Sequence, residues 1–262
     1  MIKAAFFDID GTLLSFETHE MPASTKAALI ALREHGVRCY IATGRSRYQL
    51  PAQVTEGFEG FLGFDGFVTM SGSVCYGGEG EVLFDCPIDP ADVRTVVDAV
   101  KAGRYEVLVM GADRSFVTAH TPEVLATERA ASLHYTEGDI DDALSMPVYQ
   151  FCAFVPPERE HEVSDVCPGV VTTRWCDHFC DVVPAASGKP QGIKALLAHE
   201  GLRMEDAIAF GDGGNDATML ASVGVGVAMG NAVDEAKACA DYITTDVDAD
   251  GIYIACKHFG LL

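Results

Sequence analysis

Short apolar runs alternate with helical stretches at both ends of this 262-residue chain, and each of three such runs stops on a polar turn. Residues 3–7 read as a buried strand ending at Asp8. Residues 21–35 read as a helix, with Pro22 near its start and Gly36 just past its end. A second buried strand over 37–43 ends in Ala-Thr-Gly-Arg, with a helix expected from Ser46 onward, and a third strand covers 67–70. After residue 186 the rhythm returns: helix over 190–200, strand over 207–210, helix over 215–221, strand over 223–229. A helix over 232–240, a short strand over 242–244 and a helix over 251–258 close the chain. Such alternation predicts an α/β fold, a doubly wound parallel sheet with helices on both faces.

The middle has a different pattern. Helical stretches at 90–102 and 122–131 lie among short strands at 106–110, 116–118, 149–155 and 179–183, as expected for an α+β module with a partly antiparallel sheet. Residues 71–81, SGSVCYGGEGE, read as a glycine-rich turn before it, and PAASGK follows it. The expected division is therefore a core made of 1–82 and 187–262, interrupted by an inserted domain at 83–186.

Charge narrows the function. Eighteen Lys and Arg stand against 39 Asp and Glu, a formal net charge of −21. A nucleic-acid ligand or an anionic membrane surface demands a basic footprint, so no such partner is expected. Small phosphates stay admissible, because salt confines fields to about 8 Å. Nine scattered cysteines, no N-terminal targeting pattern and no long apolar segment suggest a reduced, cytoplasmic setting.

Four segments carry the chemistry. Asp8 and Asp10, two apart at a strand end, turn the same way, and ligands of open α/β sheets bind at that end. A hard cation such as Mg2+ takes oxygen ligands of this kind; a solvated turn would use the same residues. GDGGND places Asp212, Asn215 and Asp216 at a second strand end, where helix capping is the ordinary alternative. Thr43, Gly44 and Arg45 could form a phosphate cradle at a helix start, or simply a turn. Lys189 lies just before a helix; most lysines there are solvated.

Together, in this order, the four segments resemble the motifs of the haloacid dehalogenase superfamily, and within it the Cof-type sugar-phosphatase group. VGVGVAMGNA (223–232) and the ADYITTDVDADGI ending (240–252) extend the likeness over both core segments. The resemblance implies a Rossmann-like core with a cap domain that sets specificity. It also implies Mg2+-dependent phosphatase chemistry on a small phosphorylated metabolite, a sugar phosphate foremost. Asp8 would be the nucleophile that becomes an aspartyl-phosphate, and Asp10 the general acid and base. The metal would be held by Asp8, the Asp10 carbonyl and Asp212; Thr43, Gly44, Asn215 and Lys189 would bind phosphate, with Lys189 offsetting charge. Arg45 would reach phosphate or pair with a core acid. A monomer is expected.

Other signals carry less. The glycines at 224, 226 and 230 have the wrong spacing for a dinucleotide fingerprint. Cys176, His178 and Cys180 share a strand face and could bind zinc, but a fourth ligand is missing and packed residues are expected. Trp175 beside Arg174 could line a substrate pocket or pack. Two rival functions remain open: a phosphotransferase such as a hexose-phosphate mutase, and a non-catalytic phospho-ligand binding protein.

Overall fold

The computed structural model describes residues 1–131, 133–174 and 176–262. The strands are β1 (Ala4–Phe7), β2 (Arg38–Ala42), β3 (Gly66–Thr69), β4 (Val74–Gly77), β5 (Val82–Asp85), β6 (Glu106–Gly111) and β7 (Ser115–Val117). They continue with β8 (Val148–Phe154), β9 (Val170–Thr173), β10 (Cys180–Pro184), β11 (Ala207–Gly211), β12 (Val225–Ala228) and β13 (Tyr242–Ile243). Eight of them form one sheet in the order β13-β12-β11-β1-β2-β3-β4-β5, and five form a second, β7-β6-β8-β10-β9.

The larger sheet is parallel from β13 to β3 and antiparallel at β4 and β5. Its helices fall into two groups. Ala23–Glu34 packs on Gly251–His258, while Lys189–His199 packs on β3, β4 and β5 and on Ala217–Ser222. With helices on both faces, the inner strands are apolar throughout, and every residue of β1 and β11 is buried. Aromatic rings lock their spacing: Phe6 stacks on Tyr40 at 4.8 Å and Phe7 on Phe210 at 5.0 Å.

Register then positions the chemistry. Phe7 is level with Phe210 on one side and Ile41 on the other. The residues that follow, Asp8, Gly211 with Asp212, and Ala42 with Thr43, must therefore emerge together at the carboxyl end of the sheet. The chain leaves β1 toward β2 on one side and has β11 on the other, which makes this edge the topological switch point.

Two expectations fail here. No long helix follows Ser46: a single turn over Arg47–Gln49 and a short helix over Ala52–Thr55 replace it. Pro51 supplies no N–H and biases Leu50 to extended backbone, and the Gln49 side chain accepts from Ser46 N and Oγ. The glycine-rich stretch at 71–81 is also more than a turn, since β4 lies within it and pairs antiparallel with β3. The reversal is made by Met70, Ser71 and Gly72, all at positive φ. β5 extends this sheet to Asp85, across the expected junction at residue 82.

The smaller sheet is fully antiparallel and sorts its side chains by strand period. Val107, Val109, Phe151, Ala153, Cys180 and Val182 join one core with the helix Pro90–Lys101. The alternate residues, Leu108, Met110, Gln150, Cys152, Phe154 and Asp181, face a cavity over the larger sheet. A third apolar cluster joins the sheets, with Met70, Val74 and Tyr76 packed with Leu108, Met110, Tyr149 and Phe154. Among the described residues no helix is long and apolar enough to cross a membrane.

Candidate active site

A cavity of about 190 Å³ lies between the two sheets. Its floor is the strand ends: Asp8 and Asp10 after β1, Thr43 to Arg45 after β2, and Asp212 to Asn215 after β11. Ile9 O accepts from the N–H groups of Leu13 and Leu14, curling the chain back at once beyond β1. That curl requires Gly11 at φ +81°, because a side chain there would overlap the Asp212 carboxylate.

Lys189 sits at the bottom, 2% exposed, at the first turn of its helix. Its Nζ donates to Asp8 Oδ1 at 2.7 Å and to Asp216 Oδ1 at 2.5 Å. The other Asp216 oxygen, Oδ2, accepts from the N–H groups of Asp212 and Gly213 at 3.0 and 2.9 Å. Both Asp216 oxygens are thus engaged, and its carboxylate shapes the loop that presents Asp212. Thr12 Oγ1 donates to Asp212 Oδ1 at 2.7 Å, and Asn231 Nδ2 to Gly11 O at 2.8 Å.

The electrostatics call for a cation. Asp8, Asp212 and Asp216 are buried and could converge on one ion, yet among the described residues the cation bonded to them is the single ammonium of Lys189. Burial pushes the Asp8 carboxyl up to about 7, although the Lys189 ammonium pulls it down. Burial, then the neighbouring Asp8 and Asp216 charges, raise Asp212 well above the carboxylate range. Burial opposes the charge on Lys189, but Asp216 and Asp8 more than reverse this and raise its pKa. Carboxylates held this way favour a hard divalent ion with oxygen ligands. A second group, His120, Glu128 and His134, could also converge on an ion among the described residues. The Cys176, His178 and Cys180 set forms no such group: Cys180 is core, and His178 is exposed.

Arg45 does not point at open cavity. Its Nε and Nη2 donate to Asp10 Oδ2 and Oδ1, both at 2.7 Å, a bidentate pair that fixes the Asp10 side chain. Thr43 Oγ1 accepts from Arg45 N at 3.1 Å. The expected helix dipole behind Gly44 is lacking, so any cradle here rests on backbone N–H groups and neighbouring side chains. Those neighbours include Asn215 and Ser71, whose Nδ2 and Oγ lie 3.8 and 3.4 Å from where a Gly44 side chain would begin. Ser71 is held at φ 52°, a costly setting outside glycine, by Ser71 N donating to Thr43 O at 3.0 Å. Its hydroxyl is buried and has no hydrogen-bond partner among the described residues.

Asp8, Asp10, Thr43, Gly44, Arg45, Asp212 and Asn215 all line the cavity, with Lys189 just beneath. Sequence reading gave Thr12 only local hydrogen bonding, where the structure pairs it with Asp212, and missed Ser71, Asn231, Gln150 and Asp181. A polar residue inside an apolar strand run, as in VYQFCAF and FCDVV, was the available signal for the last two. Trp175, weighed as a pocket residue, lies outside the described residues.

Residues 5–255 match a family model described as haloacid dehalogenase-like hydrolase. The chain is 33% identical to the putative phosphatase YkrA of Bacillus subtilis (strain 168), over 99% of this chain and 98% of that protein. It is 28% identical to the HMP-PP phosphatase of Klebsiella pneumoniae (strain 342), over 99% and 94%. The solved structure of BT4131, a sugar phosphatase of haloacid dehalogenase subclass IIB, superposes with a TM-score of 0.92 at 35% identity, covering 99% of this chain and 100% of that one.

Proposed function

The chain belongs to the haloacid dehalogenase-like hydrolase family, and from that premise we propose that it hydrolyses small phosphorylated metabolites, sugar phosphates foremost, through a covalent aspartyl-phosphate (an acyl phosphate) at Asp8. It is a phosphatase of that family. The observation that carries the mechanism is the Asp8–Lys189–Asp216 chain: a carboxylate at a strand end, held at one oxygen by a buried ammonium and turned toward the cavity.

Asp8 attacks phosphorus. A carboxylate O–P bond forms, the ester P–O bond breaks, and the proton needed by the departing alcohol comes from Asp10. Water then replaces the alcohol. Asp10 takes a proton from it, the new P–O bond forms, and the Asp8–P bond breaks, releasing phosphate. Arg45 holds Asp10 in one orientation through both half-reactions. Gly44 N–H, Asn215, Thr43 and Ser71 surround the phosphate oxygens, and Lys189 offsets charge gathered at Asp8.

Mg2+ fits the excess of buried carboxylate, with Asp8, Asp212 and the Asp10 carbonyl as its holders. When bound, it offsets the repulsion between an anionic nucleophile and an anionic phosphate. Residues 83–186 form the cap over this site in our reading. The test is release of phosphate from p-nitrophenyl phosphate with Mg2+. Activity is expected to vanish in Asp8→Asn and after chelation with EDTA. Undiminished turnover by Asp8→Asn would overturn the assignment of the nucleophile.

A further inference from the structure

The roof of the cavity carries an unexplained polar pair. Asp181 on β10 is 1% exposed and Gln150 on β8 is 2% exposed, both projecting from the cavity face of the smaller sheet. Asp181 Oδ1 accepts from Gln150 Nε2 at 2.8 Å and from Cys152 Sγ at 3.3 Å. The other oxygens, Asp181 Oδ2 and Gln150 Oε1, are buried with no hydrogen-bond partner among the described residues. A buried acceptor left unpaired is costly, and two of them side by side are unusual unless something arrives to fill them.

Their position says what arrives. Asp181 Oδ2 lies 3.8 Å from where a side chain at Gly44 would begin, as near as Asn215 Nδ2, so the roof meets the floor at the edge of the phosphate cradle. The part of a substrate that reaches this roof is the alcohol portion, next to the phosphoester. The rest of the roof is largely apolar or aromatic, with Leu108, Met110, Tyr135, Phe154 and Phe179; Thr127 also lines it, and its hydroxyl donates to Glu123 O. Among the described lining residues Arg45 is the only cation, and it is engaged by Asp10 on the floor. A second anion on the leaving group would face a carboxylate with nothing to balance it.

We propose that Asp181 and Gln150 are specificity residues that read a hydrogen-bond donor, an O–H or N–H group, on the leaving alcohol, and select against a second anionic group there. The assignment rests on the phosphatase reading above and deepens it. Both acceptors gain partners only in the substrate complex, so an alcohol lacking the donor leaves them unsatisfied.

The experiment measures kcat/KM with Mg2+ for four probes: glucose 6-phosphate (O–H donors), pyridoxamine phosphate (N–H donors), fructose 1,6-bisphosphate (a second anion) and p-nitrophenyl phosphate (no donor). The wild type is expected to prefer one of the first two over the last two. Asp181→Asn and Gln150→Met should each lower kcat/KM on that probe by about 10- to 100-fold, while p-nitrophenyl phosphate changes by less than about threefold. Whether the O–H or the N–H probe leads tells the two donor sources apart. Equal losses on every probe, no loss on any, or a wild type that favours p-nitrophenyl phosphate or the bisphosphate would overturn the proposal. Failure of the underlying reading looks different: Asp8→Asn would then keep its turnover on all four. Circular dichroism of both variants separates lost recognition from lost fold.

Discussion

Asp181→Asn should make this protein more stable at neutral pH while harming its choice of substrate. The Asp181 carboxyl is buried away from water, and burial raises it from an ordinary 3.8 to about 6, against the pull of Cys152, Lys189 and Gln150. An acid raised on folding binds more protons folded than unfolded, so stability falls as pH climbs between those two values and the full cost is borne above about 6. At about 1.4 kcal/mol for each pH unit of separation, that cost is about 3 kcal/mol. Asn carries no charge to desolvate and keeps the shape of the side chain. Re-pairing its amide with Gln150 and Cys152 gives back about 1 kcal/mol. The net gain should be about 2 kcal/mol at pH 7.5, or about 4–8 °C in melting temperature for a chain of this size. At pH 5.0 the wild-type carboxyl is mostly protonated, the cost falls to about half, and the gain should fall to about a third. Scanning calorimetry of both proteins at the two pH values, without divalent metal, gives the comparison. An Asn variant that melts at or below wild type at pH 7.5, or a gain that does not shrink at pH 5.0, would refute the reasoning. Such a stabilising substitution at a site of recognition is a trade that functional residues commonly make.

Two further substitutions probe the floor. Lys189→Met strands the Asp8 and Asp216 carboxylates without their shared ammonium, so urea unfolding at neutral pH should show a loss of about 3–5 kcal/mol, with phosphatase activity gone; a loss under about 1 kcal/mol would contradict the buried pairing. Gly11→Ala must adopt φ near +81° and would push on the Asp212 carboxylate. It should cost about 1–2 kcal/mol from the backbone alone and raise the Mg2+ concentration for half-maximal activity. An unchanged Mg2+ titration would remove Gly11 from the account of how Asp212 is held.

Much of the floor could be read in the sequence because its parts obey local rules. Apolar runs mark β1, β2 and β11, and the residue after each run is where a parallel sheet puts its ligands, so Asp8, Thr43 and Asp212 announce themselves. Lys189 was legible only through the resemblance, since nothing in Ser-Gly-Lys-Pro says that this lysine is buried between two carboxylates. The expected helix after Ser46 failed on a rule that was available, a proline at 51, whereas β4 hid inside a segment whose glycines read as a turn. The roof was harder for a physical reason. A strand's period fixes which residues share a face, but only the pairing of β6, β8 and β10 across the inserted sheet brings Leu108, Cys152 and Asp181 into one row. Position 181 is opposite position 152 by antiparallel register, and no count along the chain states that. The floor is built from contacts that begin within a few residues of a strand end, and its residues are constrained by what phosphoryl transfer requires. The roof is built from strand pairings about 30 to 50 residues apart, and on the proposal above its polar residues answer to the leaving group instead. Asp181 and Gln150 stand where those two constraints separate, which is why the chemistry could be read before the substrate.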